Sequence, residues 1–290
     1  MIEKPVQRNV RMFVFISFLF SWPIMFIVDG WLEPMFLAQD NNAAARISVV
    51  LGHTIAMLGP ALAALYLWRL RHEESPRWSW SQPKYYGIVA LAMLAFWTLP
   101  GVIGLLAGDT IQSPIETQMW VRIVIMLLLG WISGIGEETG WCAYLLPKLS
   151  SQNGKTRAMI VSGVIRGLWH WPVLVAPVLA QVVGGERTVL ELLGAGVVIA
   201  IQLAFTNVFF GAVMGWIWYR TESIPLIGWT HFWYDLTRDV TIMLLVAYID
   251  SLWVTQISAI VFYGLGVILL DIVRQEEGLK WKQVFRRANP

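Results

Sequence analysis

The chain has 290 residues, of which 57% are hydrophobic and only 14% charged, and its formal net charge is +2. Soluble globular proteins carry about 25% charged residues, so this is the composition of a membrane protein. The small net charge and the lack of a long basic block exclude nucleic acid as an expected partner.

At the start of the chain, Lys4, Arg8 and Arg11 flank the run MFVFISFLFSWPIMFIV. Such a pattern opens like a signal peptide, but no small-x-small cleavage site follows, so it reads as a retained first transmembrane helix. A span needs roughly 20 apolar residues. On that measure the sequence predicts eight: 12–28, 47–68, 85–107, 120–146, 158–180, 190–218, 225–248 and 254–272. The fourth and sixth are long enough to tilt or break. Only a short polar stretch around Asp250 and Ser251 divides the last two. The expected fold is therefore an all-α, polytopic membrane protein. Three N-terminal spans occupy 1–118, a core occupies 119–240, and a last helix with a basic tail occupies 241–290. The expected setting is the plasma membrane, with the lipid bilayer as partner.

Basic residues test the span count, because cytoplasmic loops are enriched in them. With the N-terminus inside, one side receives Lys4, Arg8, Arg11, Arg69, Arg71, Arg77, Lys84, Lys148, Lys155, Arg157, Arg220, Arg274, Lys280, Lys282, Arg286 and Arg287, which is 16 of the 21. The other side receives Arg46, Arg187 and the borderline Arg122, while Arg166 and Arg238 fall inside spans. Both termini are accordingly expected in the cytoplasm. Many of the 17 Trp fall near helix ends, as in interfacial aromatic belts. The single cysteine, Cys142, excludes an intrachain disulfide and any Cys-rich metal motif.

Ionisable groups within spans cost about 2.5–3.5 kcal/mol each on insertion scales, which marks them as functional candidates. The fourth span carries Glu137 and Glu138 in GEETGWCAYLL. The fifth carries Arg166 and His170, and the seventh carries His231, Asp235, Arg238 and Asp239. At about 1.5 Å per residue, all three groups fall near the midplane or in the cytoplasmic half, where they can share one site. His53, in the second span, falls in the outer half and is left out of that site. His231 and Asp235 are four apart on one helix face, as are Arg166 and His170. The pairs Gly130 with Gly134 and Gly136 with Gly140 give two small-xxx-small stripes that let helices approach closely. Structural readings stand beside these: His170 as a hydrogen-bonded core residue, Asp235 with Arg238 as a packing ion pair. Adjacent buried acids are harder to explain structurally, since they repel each other and lose hydration. A carboxylate beside two imidazoles suits general acid–base chemistry on water.

The segments EETGWCAYLLP, GLWHWP and HFWYD, in that order on separate helices, resemble the three motifs of the CAAX protease and bacteriocin-processing (CPBP) family of intramembrane endopeptidases: EExxxR, FxxxH and HxxxN. The resemblance covers roughly 119–240. It implies a type II CAAX prenyl endopeptidase-like hydrolase cutting a protein or peptide near the cytoplasmic face. Glu137 would activate water, with Glu138 as its partner. His170 and His231 would orient the water and stabilise developing charge. Asp235 would stand where an Asn often supports the oxyanion. The resemblance implies no cofactor, although zinc on His170, His231 and Glu137 remains an alternative. The chain departs from the pattern at Cys142, in place of Arg; at Arg166, in place of Phe; and at Asp235, in place of Asn. Arg166 and Cys142 therefore have supporting roles in this reading. An arginine in a span needs an anion, and Glu138 is the expected partner of Arg166. Two other functions fit these features: a catalytically silent relative that holds a membrane partner, and a proton-coupled transporter. The latter would be favoured by inverted repeats, which the sequence does not show.

Reporter fusions check this topology. Fusions at Arg77, Gly154 and Asn289 should read cytoplasmic, and fusions at Asn41 and Gly185 external. A cytoplasmic signal at Gly185 would remove His170 from the shared site.

Overall fold

A computed structural model describes residues 5–38, 43–106, 108, 117–241 and 252–285. Among them there are helices and no strands: α1 (Pro5–Ile27), α2 (Glu33–Ala38), α3 (Ala43–Met57), α4 (Gly59–Leu70), α5 (Pro83–Leu106), α6 (Thr117–Gly140), α7 (Leu146–Asn153), α8 (Lys155–Trp169), α9 (Trp171–Val183), α10 (Val189–Thr221), α11 (Ile224–Thr241), α12 (Leu252–Glu276) and α13 (Trp281–Phe285). Seven helical segments among the described residues are long and apolar enough to cross a membrane, and the protein is a multi-pass membrane protein. They correspond to seven of the eight expected spans. The remaining expectation, 225–248, is described only in part. Its described part is α11, whose Asp235, Arg238 and Asp239 take it out of the apolar class. Most of α11 is buried, packed against α6 and α5, so its solvent is largely protein. Residues 242–248 lie outside the described residues. So do the polar stretch around Asp250 and Ser251 and the charges at Lys4, Arg286 and Arg287.

Several expected spans are interrupted, and prolines account for the breaks. A proline cannot donate its backbone hydrogen bond to the carbonyl four residues back. After α1 the chain forms a π-turn, Val28–Leu32, in which the Glu33 N–H donates to Val28 O, and Pro34 follows. After α6 a second π-turn, Trp141–Leu145, sends the Leu146 N–H to Trp141 O, and Pro147 follows. The second span breaks at Leu58, before Pro60. The fifth breaks at His170, before Pro172. Each of these prolines lies second in the helix that follows, where its missing N–H costs no helical hydrogen bond. The chain thus alters its helical path next to Glu137 and at His170 itself.

The two glycine stripes of α6 face different neighbours. A Cβ on Gly134 would stand 2.5 Å from Gly228 O of α11, and one on Gly140 would stand 2.6 Å from Pro60 O of α4. Only a residue with no side chain lets α6 lie between these helices at such distances. On α8, Gly163 and Gly167 perform the same service toward α10. The core beside the site is aromatic: Trp141 meets Phe13 and Trp169 edge-on, each with ring centroids 5.5 Å apart.

Polar ties gather several chain segments on one face. Glu73, in the loop after α4, bonds Asn9 of α1 and pairs with Lys148 of α7 at 2.6 Å. Ser223, between α10 and α11, donates to Ser79 O at 2.8 Å. Glu277, after α12, accepts from the Thr156 N–H and hydroxyl at 3.0 and 2.6 Å. These are the segments that the distribution of basic residues assigns to one side.

Candidate active site

Residues one apart on a helix point about 100° apart, so Glu137 and Glu138 leave α6 in different directions. Glu138 is fully buried. Its Oε2 accepts from Arg166 Nη2 of α8 at 2.8 Å, and its Oε1 accepts from His231 Nδ1 of α11 at 2.8 Å. One carboxylate therefore bridges three helices, with both oxygens committed to strong, charge-assisted partners. The Arg166 guanidinium also lies over the rings of Trp141 and Phe210, at 5.8 and 5.1 Å. Cys142, one turn after Glu138, is buried beside this pair and leaves room for the arginine to enter from α8.

Glu137 faces the other way, into a cavity of about 580 Å³ that His170, His231 and Asp235 also line. Its Oε2 has no hydrogen-bond partner among the described residues. His170 Nε2 lies 3.6 Å from that oxygen, and His231 Nε2 lies 3.9 Å from Oε1. These separations exceed hydrogen-bond length and bring the three groups around one point. His170 reaches it from the junction of α8 and α9. The neighbouring Trp169 is fully buried and stacks edge-on against the imidazole, with centroids 4.7 Å apart. Trp22 of α1 donates to Trp169 O at 3.1 Å, which fixes the end of α8.

His231 is gripped from both sides. Nδ1 meets Glu138, and Nε2 lies 3.2 Å from Asp235 Oδ2. Asp235 in turn presents Oδ1 to Arg238 Nη1 at 2.8 Å, and Arg238 Nη2 meets Asp239 at 2.7 Å. An aspartate engaged by a guanidinium on one oxygen and an imidazole on the other is an acceptor. It does not reproduce the donor that an Asn amide would supply there. The zinc set His170, His231 and Glu137 fits poorly. Both ring nitrogens of His231 are directed at other carboxylates, and among the described residues no group of three or more His, Cys, Asp or Glu is arranged to hold a metal ion.

The structure brings together all the residues singled out in the sequence, and it adds others. His53 was expected to stand apart in the outer half. It lines the same cavity, with its Nδ1 3.5 Å from Asp29 Oδ1. Asn207 of α10 also lines the cavity and is 8% exposed. The signal was present as the polar pair Thr206–Asn207 in an apolar span, but only ionisable groups were weighed.

Residues 118–237 match the model of a family described as Type II CAAX prenyl endopeptidase Rce1-like. The matched segment contains Glu137, Glu138, Arg166, His170, His231 and Asp235, in agreement with the resemblance drawn from the three motifs. It ends before Arg238 and excludes Asp29 and His53. No curated protein matches the chain.

Removing one partner of a buried ion pair costs about 3–5 kcal/mol. Arg166→Phe should therefore lower thermal stability in detergent markedly. The double change Cys142→Arg with Arg166→Phe returns an arginine to the position four residues after Glu138 and should recover most of that loss. A silent Arg166→Phe, or a double variant no better than the single, would show that the pair does not stabilise the fold.

Proposed function

We propose that this membrane protein is an endopeptidase that hydrolyses a peptide bond of a protein or peptide substrate with water activated by Glu137, near the cytoplasmic face. The observation that carries the reading is the unequal treatment of two adjacent acids. Glu138 is consumed by Arg166 and His231, while Glu137 keeps an unpartnered oxygen toward a cavity shared with two imidazoles. The family match over residues 118–237 supports peptidase chemistry in general.

In this reading a water bonds Glu137 and His170 together. Glu137 takes its proton as the oxygen attacks the carbonyl carbon, giving a tetrahedral intermediate. Glu137 then returns that proton to the leaving amine as the C–N bond breaks. One peptide leaves with a new carboxylate and the other with a new amino group. His231 stands beside the developing oxyanion, oriented by Glu138 and Asp235, so both acids act as positioning residues. Asp235 cannot give the oxyanion a second donor while it serves Arg238 and His231. Asn207 is the nearest substitute in kind. Its amide spends one N–H on Leu203 O at 2.9 Å and retains another. The engagement of both His231 nitrogens favours a charge-stabilising role for that residue over zinc ligation.

Glu137→Gln keeps the size and shape of the side chain but cannot take a proton. Loss of an essential general base costs about 10²–10⁴ in rate. Cleavage of a peptide mixture by the purified protein, followed by mass spectrometry, should fall by that factor at unchanged expression, and phenanthroline should have little effect. Full inhibition by chelator, reversed by zinc, would overturn the glutamate mechanism. The absence of any Glu137-dependent cleavage would favour the silent, partner-holding alternative.

A further inference from the structure

The cavity contains a second ionisable group that the proposed chemistry leaves unused: Asp29, Glu33 and His53. Asp29 stands in the π-turn Val28–Leu32 that Pro34 imposes on the chain. Single π-turns within helices are frequent at functional sites. The turn is pressed on α9, since a Cβ on Gly30 would stand 3.1 Å from Ala176 Cβ. Asp29 is thus held in a tightly packed wall. It is 5% exposed, and while Oδ1 faces His53, Oδ2 has no hydrogen-bond partner among the described residues.

The charge around the cavity is lopsided. Among the described residues, Asp29, Glu33, Glu137, Asp235 and Asp239 line it against a single guanidinium, Arg238. That guanidinium is already engaged by Asp235 and Asp239. Among the described residues Asp29 faces the His53 imidazole and no lysine or arginine. A desolvated carboxylate in this position favours a cationic ligand. A metal ion is a poor match, because among the described residues no suitable cluster of three or more ligands exists. An ammonium or guanidinium group suits a lone carboxylate oxygen through a charge-assisted hydrogen bond.

With a peptide as the substrate, as proposed above, we infer that Asp29, supported by Glu33, forms a subsite that takes a lysine or arginine side chain of that peptide. The same field repels an acidic side chain at that position. The site therefore selects peptides by charge through residues other than those that act on water.

The test is binding to purified protein in detergent, measured with three peptides acetylated and amidated at their ends. They differ only at the central residue: lysine, its uncharged analogue norleucine, or glutamate. Wild-type protein should bind the lysine peptide about tenfold more tightly than the norleucine peptide, and the glutamate peptide more weakly than either. Asp29→Asn should bring the lysine and norleucine affinities together without weakening norleucine binding, and Glu33→Gln should reduce the ratio partway. Equal binding of lysine and norleucine by the wild type, or a preference that survives Asp29→Asn, overturns the proposal. If Asp29→Asn does not accumulate, the wild-type order of the three peptides decides. Binding is read apart from cleavage. Lysine preference without Glu137-dependent cleavage keeps the subsite and removes the peptidase reading, and cleavage without lysine preference does the reverse.

Discussion

The Glu138 carboxylate, held at 2.8 Å by Arg166 and at 2.8 Å by His231, is the interaction on which the rest of the site depends. It joins α6, α8 and α11 in a region where neither a lone arginine nor a lone glutamate is tolerable, since each buried charge is costly without the other. By fixing His231 through Nδ1, it also sets the direction of Nε2 toward Asp235 and the cavity. The neighbouring acid is thereby released from structural duty. Among the described residues no basic group comes closer to Glu137 than the 3.6 Å approach of His170, so its oxygen remains available to a ligand. The division between a structural and a reactive carboxylate follows from their one-residue separation on a helix, with a glycine stripe on each side.

Much of the architecture was legible because bilayer physics is severe. Span lengths, the one-sided distribution of basic residues and the small-xxx-small stripes all come from constraints that act on the sequence directly. The spans that differed did so for local reasons. Residues 225–248 were read as one span carrying His231, Asp235, Arg238 and Asp239, and its described part, α11, is mostly buried against α6 and α5. The fourth span was read as able to break, while the effects of Pro34, Pro60 and Pro172 on their spans were not drawn from the sequence. Each proline was visible, but its consequence depends on neighbours that accept the freed backbone groups.

The site was legible in its composition and less so in its wiring. Arg166 in the slot of an apolar residue and Cys142 in the slot of an arginine suggested an exchange of partners, and the Arg166–Glu138 pair has that form. Asp235 pointed to an oxyanion role by its place in the motif. The Arg238 and His231 contacts that make it an acceptor come from residues three and four positions away and depend on rotamers that spacing does not specify. His53 was set aside on its depth, and Asp29, which stands in a π-turn, was not weighed. Asn207 was missed because it bears no charge. The meeting of Asp29 with His53 is a tertiary juxtaposition, which a one-dimensional depth estimate does not supply.

The central claim is that two adjacent, isosteric carboxylates have opposite duties, one structural and one reactive. Thermal unfolding of Glu137→Gln and Glu138→Gln, purified in the same detergent, tests it most directly. Glu138→Gln leaves Arg166 buried without its anion and should melt well below the wild type, in keeping with a loss of about 3–5 kcal/mol. Glu137→Gln removes a charge that holds nothing together and should melt at or above the wild type. Equal shifts, or a larger loss for Glu137→Gln, would contradict the account.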